Sequence, residues 1–325
     1  MRVVAYSIKS FEKEHLAKAN QRKHDITLIS NPLSLKTALY AEGKDAVIVF
    51  TDDDLSGPVI DKLADIGIKY IATRSVGTDH IDLVQAEKRN IKIANIPEYS
   101  PEAIAEFAVT LALALSRKLI PAVDQSRKFD VPTNQTPGFN FHGKKVGVIG
   151  FGHTGVATAA IFRGFGCKIL SYDTSPLTKA THNKAVDLDT LLNESDIISL
   201  HVPLTADTYH LIDESAIAKM KKGVMLINTS RGGLINTEDA LKALNNGKIG
   251  YLGLDVYEKE EKLFAGHSQD KIKDPFLEQL VMHPNVIVTP HQAYLTVEAL
   301  HEIAVQTICN LDQWQKDSSS GKACA

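Results

Sequence analysis

Residues 146–155 read VGVIGFGHTG, an apolar run that stops on three spaced glycines, Gly150, Gly152 and Gly155. A strand-like KVGVI (145–149) leads into them, and TGVATAAIFRGFG, with helical periodicity, leads out. That is the strand, turn and helix context in which such glycines cradle a dinucleotide. Gly150 permits the tight turn, Gly152 lets a pyrophosphate approach the backbone, and Gly155 lets helix and strand pack closely. The amides near His153 and Thr154 would then face the phosphates, so His153 is expected to contribute backbone rather than imidazole chemistry. Any βα turn can use glycine, which makes a second feature decisive. Asp173 ends the next strand, LSYD, near the spacing of about 20 residues at which a carboxylate takes the adenosine ribose hydroxyls. A negative charge there repels a 2′-phosphate and points to NAD rather than NADP. The competing reading of Asp173 is a helix cap or turn residue, for which DTSP is suited.

The turn lies near the middle of 325 residues because a first α/β domain precedes it. Short β-branched runs, VVAYS (3–7), DITLIS (25–30), DAVIVF (45–50) and KYIATR (69–74), alternate with amphipathic stretches and predict a parallel sheet. A second series follows: KVGVI (145–149), CKILSYD (167–173), SDIISLH (195–201), GVMLINT (223–229), GYLGLDV (250–256) and NVIVTP (285–290). Between them SPEAIAEFAVTLALALSRKL (100–119) predicts one long, mostly buried helix, capped by Ser100 with Pro101 in its first turn. TVEALHEIAVQTICNLDQWQ (296–315) predicts a final helix that could return to the first domain, and SSSGKACA after it is expected to be mobile.

Hydrophobic residues make 44%, charged residues 23%, and the net charge is -3, which gives no reason to expect nucleic acid or an anionic membrane and favours a small-molecule partner. The three cysteines, Cys167, Cys309 and Cys324, show no metal spacing, and no metal is expected. An odd, sparse set of thiols suits a reducing compartment, and MRVVAYSIKS lacks a signal-peptide core, so a cytoplasmic address is expected.

Three later strand ends deliver polar residues to the edge where parallel sheets receive ligands: Arg231 in LINTSRGG, Asp255 and Glu260 in GLDVYEKE, and His291 in VIVTPHQAY. These types meet the needs of reducing a 2-keto acid. A guanidinium holds the carboxylate in a two-pronged contact, a histidine protonates the carbonyl oxygen, and a carboxylate stabilises the imidazolium while NADH carries the hydride. Each has a plainer reading. Arg231 also suits a helix entry, Glu260 a solvated run in which Glu258 and Glu261 are chemical rivals, and His291 a cap beside Pro290, while His80 and His201 are other candidate bases.

In this order and at these separations GFGHTG with Asp173, NTSRGG, LDVYEKE and TPHQAY resemble the D-isomer-specific 2-hydroxyacid dehydrogenases, over a span from MRVVAYS to about Trp314. RSVGTDHIDL (74–83), NIPEYSPEAIAEFAV (95–109) and GLDVYEKEEKLF (253–264) bring the likeness close to the D-lactate dehydrogenase branch of fermentative bacterial type. The resemblance implies that Arg231 binds and orients substrate, that Glu260 pairs with His291, and that His291 is the proton donor. It implies backbone contacts to the substrate carboxylate from Val76 and Gly77, and pocket roles for Tyr99 and Tyr294. Cofactor contacts would come from Gly150, Gly152, His153, Thr154, Gly155, Asp173, Val202, Pro203, Thr208, Thr229, Ser230, Arg231 and Asp255, although family members often place a different polar residue at Thr208.

The architecture it implies is two doubly wound α/β domains, Rossmann-like or flavodoxin-like, with parallel sheets and an active-site cleft between them. Residues 1–99 with 297–325 would form the substrate domain and 100–296 the NAD domain. Such proteins dimerise through the coenzyme domain, and some form tetramers. Helix 101–117 is either part of that interface or core within its own domain. The expected activity is reversible, NADH-dependent reduction of pyruvate to D-lactate. Two alternatives stand beside it: a relative preferring a bulkier 2-keto acid, and a non-catalytic, cofactor-sensing corepressor-like protein.

Overall fold

Side chains along the first strand sort onto two faces of one sheet. In β1 (Arg2–Ala5), Val3 and Ala5 join one apolar cluster while Val4 and the following Tyr6 join another, the period of two that a pleated backbone imposes. With β2 (Asp25–Leu28), β3 (Ala46–Val49), β4 (Tyr70–Thr73) and β5 (Lys92–Ala94) it forms a parallel sheet of order β2-β1-β3-β4-β5. β3 is buried along its whole length, which is why AVIVF (46–50) reads as an unbroken apolar run. Helices α2 (Gly57–Asp65) and α3 (Leu83–Lys88) cover one face, and α1 (Lys13–Asn20) places Leu16 against the other. The computed structural model describes residues 1–129, 137–174, 184–260 and 274–320.

The second sheet comprises β6 (Lys145–Ile149), β7 (Lys168–Tyr172), β8 (Lys184–Ala185), β9 (Ile197–Leu200), β10 (Val224–Asn228), β11 (Ile249–Leu254) and β12 (Val286–Val288). Its order is β12-β11-β10-β9-β6-β7-β8, all parallel. The order reverses at β6, so the carboxyl ends of β6 and β9 form the switch point at which such sheets take ligands.

Helices α4 (Pro101–Ser116), α5 (Leu119–Arg127), α6 (His153–Gly164), α7 (Leu188–Glu194), α8 (Glu214–Lys219), α9 (Thr237–Asn245) and α10 (Pro275–Met282) accompany this sheet. Asp187, Asp213, Asn236 and Asp274 cap four of them, each side chain accepting an amide of the first turn. α4 spends its apolar face inside its own chain: Ala108, Leu111, Ala112 and Leu115 pack with Val146, Val148, Phe162 and Ile227.

The helix expected over 100–119 forms as α4 and ends at Ser116, and a separate helix, α5, starts at Leu119. The Ser116 carbonyl is taken by the Phe139 amide at 3.3 Å, and Lys118 adopts a left-handed φ of 51°, so the helical path ends there. The chain separates into two compact units, Met1–Ser100 with Leu295–Ala325, and Pro101–Tyr294.

α11 (Val297–Ser320) belongs to the first unit, where Ile308, Leu311 and Trp314 pack with Val3, Ala5 and Ile48. The Trp314 ring stacks on Tyr70 at 4.9 Å. This helix runs past Gln315 to the residue before Gly321, so Ser318, Ser319 and Ser320 of the expected mobile tail are helical. Residues 321–325, with Cys324, lie outside the described residues, as does Glu261. Among the described residues no helix is long and apolar enough to cross a membrane.

Leu311 is fully buried under the first sheet, so Leu311→Ala removes a side chain whose space cannot fully refill. The expected cost is about 2–5 kcal/mol. It is read as a lower urea midpoint followed by the fluorescence of Trp314, the chain's one tryptophan, and an unchanged midpoint would contradict this packing.

Candidate active site

The mid-chain turn folds as its glycines require. Gly150 has a φ of +88°, and a Cβ there would run into the His201 carbonyl and lie 2.8 Å from Val202 Cγ1. A Cβ on Gly155 would run into the Gly150 carbonyl, so α6 starts hard against the end of β6. At Gly152, the N-cap of α6, a Cβ would meet nothing within 4 Å. The helix N-terminus, with its exposed amides and positive dipole end, therefore opens onto clear space. Asp173 Oδ2 accepts the Phe151 N–H at 2.6 Å, which fixes a carboxylate beside the turn at the end of β7. Sterically open glycine, helix N-terminus and carboxylate together fit the pyrophosphate and ribose of a dinucleotide.

β10 ends in a second tight turn. Asn228, fully buried, accepts the Ser230 amide at 3.0 Å and donates through Nδ2 to the Arg231 carbonyl at 2.8 Å, so its side chain spans the turn that presents Thr229, Ser230 and Arg231. Ser230 Oγ donates to the Leu200 carbonyl at 2.8 Å, tying this turn to the neighbouring strand end. Thr229 Oγ1 is buried without a hydrogen-bond partner among the described residues, a hydrogen-bonding capacity that a cofactor amide or hydroxyl would fill. Arg231 is half-buried, and its Nη1 donates to the Ser230 carbonyl at 2.9 Å. Asn228 is a positioning residue that motif reading missed, although an asparagine closing a buried strand before Thr and Ser is a known turn former.

The loop after β12 is shaped by Asp255. Its buried carboxylate accepts Thr289 Oγ1 at 2.6 Å, the Gln292 amide at 2.9 Å and the Ala293 amide at 2.8 Å, while its carbonyl accepts the His291 amide at 2.8 Å. Burial pushes the Asp255 carboxyl above its ordinary range, and these hydrogen bonds work against that rise. Asp255 thus acts as the anchor of the histidine loop, a role its sequence position does not announce.

Held this way, His291 takes a left-handed φ of 49° and turns Nδ1 to Glu260 Oε1 at 3.1 Å. Glu260 Oε2 accepts the Tyr257 amide at 3.2 Å, so the carboxylate is oriented from behind. Burial pulls the His291 imidazole down, but the hydrogen bond and charge of Glu260, joined by Asp255, outweigh it. The net direction is up from 6.5, against the opposing charge of Arg231. Arg231, Glu260 and His291 therefore share one electrostatic neighbourhood. With Nδ1 engaged, Nε2 makes no hydrogen bond among the described residues and is the nitrogen left to carry a transferable proton.

Two of the chemical rivals, Glu258 and His201, are occupied elsewhere. Glu258 pairs with His210 at 2.7 Å and accepts the Thr237 amide at 3.1 Å, and these hydrogen bonds outweigh its burial to hold its carboxyl below the usual range. Burial pushes His201 down to about 4, and its Nε2 sits 2.9 Å from Ser199 Oγ. The Thr208 hydroxyl donates to the Pro203 carbonyl at 2.7 Å, so its proton is committed to its own turn. Tyr294 is half-buried in the second unit. Val76, Gly77 and Tyr99 lie in the first unit.

Residues 109–293 match the family model described as D-isomer specific 2-hydroxyacid dehydrogenase, NAD binding domain. The D-lactate dehydrogenase kk1H of Curvularia clavata is 45% identical, with 99% of this chain and 95% of that protein covered. The apo structure of D-lactate dehydrogenase from Escherichia coli superposes with a TM-score of 0.87 at 40% identity, over 100% of this chain and 98% of the other. The Aquifex aeolicus D-lactate dehydrogenase, solved in complex with NAD and lactic acid, gives a TM-score of 0.85 at 33% identity, over 98% and 96%. With a cradle that fits the dinucleotide and relatives of this identity over the whole length, the chain belongs to the D-isomer specific 2-hydroxyacid dehydrogenases and is an NAD-dependent oxidoreductase.

Proposed function

We propose that this enzyme is a D-lactate dehydrogenase that reduces pyruvate to D-lactate reversibly, with His291 as the proton donor. The observation that carries it is the His291–Glu260 pair on a loop pinned by Asp255, in a chain 45% and 42% identical to proteins named D-lactate dehydrogenase. Bound NADH supplies the hydride. Arg231 binds the substrate carboxylate and orients the keto group, and its guanidinium fork suits that planar anion. His291, protonated, holds the proton on Nε2 and gives it to the carbonyl oxygen, while Glu260 stabilises the imidazolium. In the reverse direction the neutral imidazole takes the hydroxyl proton. Val76 and Gly77 contribute backbone amides to the carboxylate, and Tyr99 and Tyr294 shape the pocket.

The unit Pro101–Tyr294 is the NAD domain of this proposal, close to the expected bounds of 100–296, and the unit Met1–Ser100 with the final helix is the substrate domain. Cofactor contacts come from the Gly150 to Gly155 turn, Asp173, Val202, Pro203 and the Thr229 to Arg231 turn. We assign a homodimer through the NAD domain and a cytoplasmic setting. The latter accords with free thiols at Cys167, buried and pushed up to about 11, and at Cys309.

Loss of NADH absorbance on adding pyruvate tests the reaction. Higher catalytic efficiency with phenylpyruvate than with pyruvate or 2-ketobutyrate would move the assignment to a bulkier keto acid, and no turnover with any of them would favour cofactor binding without catalysis. His291→Ala is expected to lower kcat for reduction by roughly 10²–10⁴-fold. Near-normal turnover would remove His291 from its role.

Because reduction needs the charged imidazole, its rate should hold at low pH and fall as pH rises through the raised His291 pKa. In Glu260→Gln the supporting charge is gone, so the fall should move to lower pH. An unmoved alkaline limb would contradict the pairing. Asp173→Ser removes the carboxylate expected to repel a 2′-phosphate, so the NADH to NADPH ratio of kcat/KM should drop by about tenfold or more. A retained ratio would reassign Asp173 to turn structure alone.

A further inference from the structure

Residues 74–78 cross the carboxyl edge of the first sheet directly after β4. The crossing starts from a fixed point. The Arg74 amide donates to the Val49 carbonyl at 2.9 Å, and its buried guanidinium pairs with Glu12 and donates to the Tyr6 carbonyl at 2.8 Å.

Beyond Arg74 three consecutive carbonyls are each held. The Ser75 carbonyl accepts the Ile96 amide at 3.0 Å, the Val76 carbonyl accepts Asn95 Nδ2 at 2.7 Å, and the Gly77 carbonyl accepts Ser75 Oγ at 2.7 Å. Both residues are themselves supported. Thr73 Oγ1 lies 2.7 Å from Ser75 Oγ and donates to it, since the Ser75 proton goes to Gly77, and α11 steadies the Asn95 backbone through a bond from Asn310 Nδ2 to its main-chain carbonyl at 3.2 Å.

In a trans peptide the N–H points opposite its own C=O. Holding the three carbonyls therefore fixes the amides of Val76, Gly77 and Thr78 to face away from those anchors. None of the three amides donates a hydrogen bond among the described residues. Successive amides presented without partners are the elements of an anion cradle. A carboxylate is the anion that the reduction of a keto acid would bring to them.

We propose that Ser75 and Asn95 are positioning residues for substrate, holding the Val76, Gly77 and Thr78 amides in the orientation that receives the 2-keto acid carboxylate; this rests on the keto-acid reduction proposed above. Neither side chain touches the reacting atoms. They act by removing the freedom of a half-exposed loop to turn its amides elsewhere, so their loss weakens substrate binding and leaves proton and hydride transfer in place.

The test is steady-state kinetics of Asn95→Ala and Ser75→Ala with pyruvate and NADH, with Ser75→Thr as the variant that keeps the hydroxyl. Each alanine variant is expected to raise the pyruvate KM by roughly 3–12-fold, the weight of one hydrogen bond, with kcat within about twofold. The NADH KM and the pH profile should stay at wild-type values, and Ser75→Thr should restore the pyruvate KM. An unchanged pyruvate KM in both alanine variants overturns the inference, and so does a parallel rise in the NADH KM with a fall in thermal midpoint. A wild-type enzyme inert toward every 2-keto acid would overturn the functional reading, and the inference with it. That outcome is distinct, because in the first two the wild type turns over normally.

Discussion

One buried carboxylate decides how the loop carrying His291 is held. Asp255 gathers Thr289, Gln292 and Ala293 onto its two oxygens, and only with those donors in place does the chain turn back at His291 through a left-handed conformation. A β-carbon is poorly tolerated there, so the loop is stable because its hydrogen bonds over-determine it. The same carboxylate adds to the charge that favours protonated His291. Structure and electrostatics thus run through a single side chain at the end of β11.

The second unit repeats this pattern at other strand ends. Asn228 braces the turn that carries Arg231, Asp173 braces the glycine turn, and Glu258 with His210 braces the entry to α9. Each brace is a short polar side chain that satisfies backbone amides which a tight turn leaves unpaired. In the first unit the buried Arg74 and the side chains of Ser75 and Asn95 brace the crossing after β4 from the other side, by donating to its carbonyls and to that of Tyr6. The strands supply burial and rigidity. The braces convert that rigidity into defined directions for the groups that would meet cofactor and substrate.

Much of this was legible in the sequence because the relevant constraints are periodic or steric. Fully buried parallel strands must be runs of apolar residues, and a turn that crowds His201 and Val202 must be glycine at position 150. Strands β5 and β8, of three and two residues, carry too little pattern to stand out at all. The break between α4 and α5 was hidden because it comes from a tertiary contact, the Phe139 amide reaching Ser116, in a stretch whose local composition favours continued helix. Nor could spacing choose between Glu258 and Glu260. They differ by two positions in a turn, and only the fold sends one to His210 and the other to His291. Asp255 was visible as a polar strand end, but its work as a loop anchor depends on residues more than thirty positions away.

The hydrogen bond and charge of Glu260, with the charge of Asp255, favour the protonated His291 imidazole beyond the pH at which an ordinary histidine loses its proton. Titration of His291 by nitrogen-15 NMR on histidine-labelled protein measures this directly, with the His291→Gln spectrum assigning the resonance. The wild type should titrate with a midpoint above 6.5, and replacing Asp255 by asparagine should lower it. A wild-type midpoint at or below 6.5, unmoved by that replacement, would contradict both.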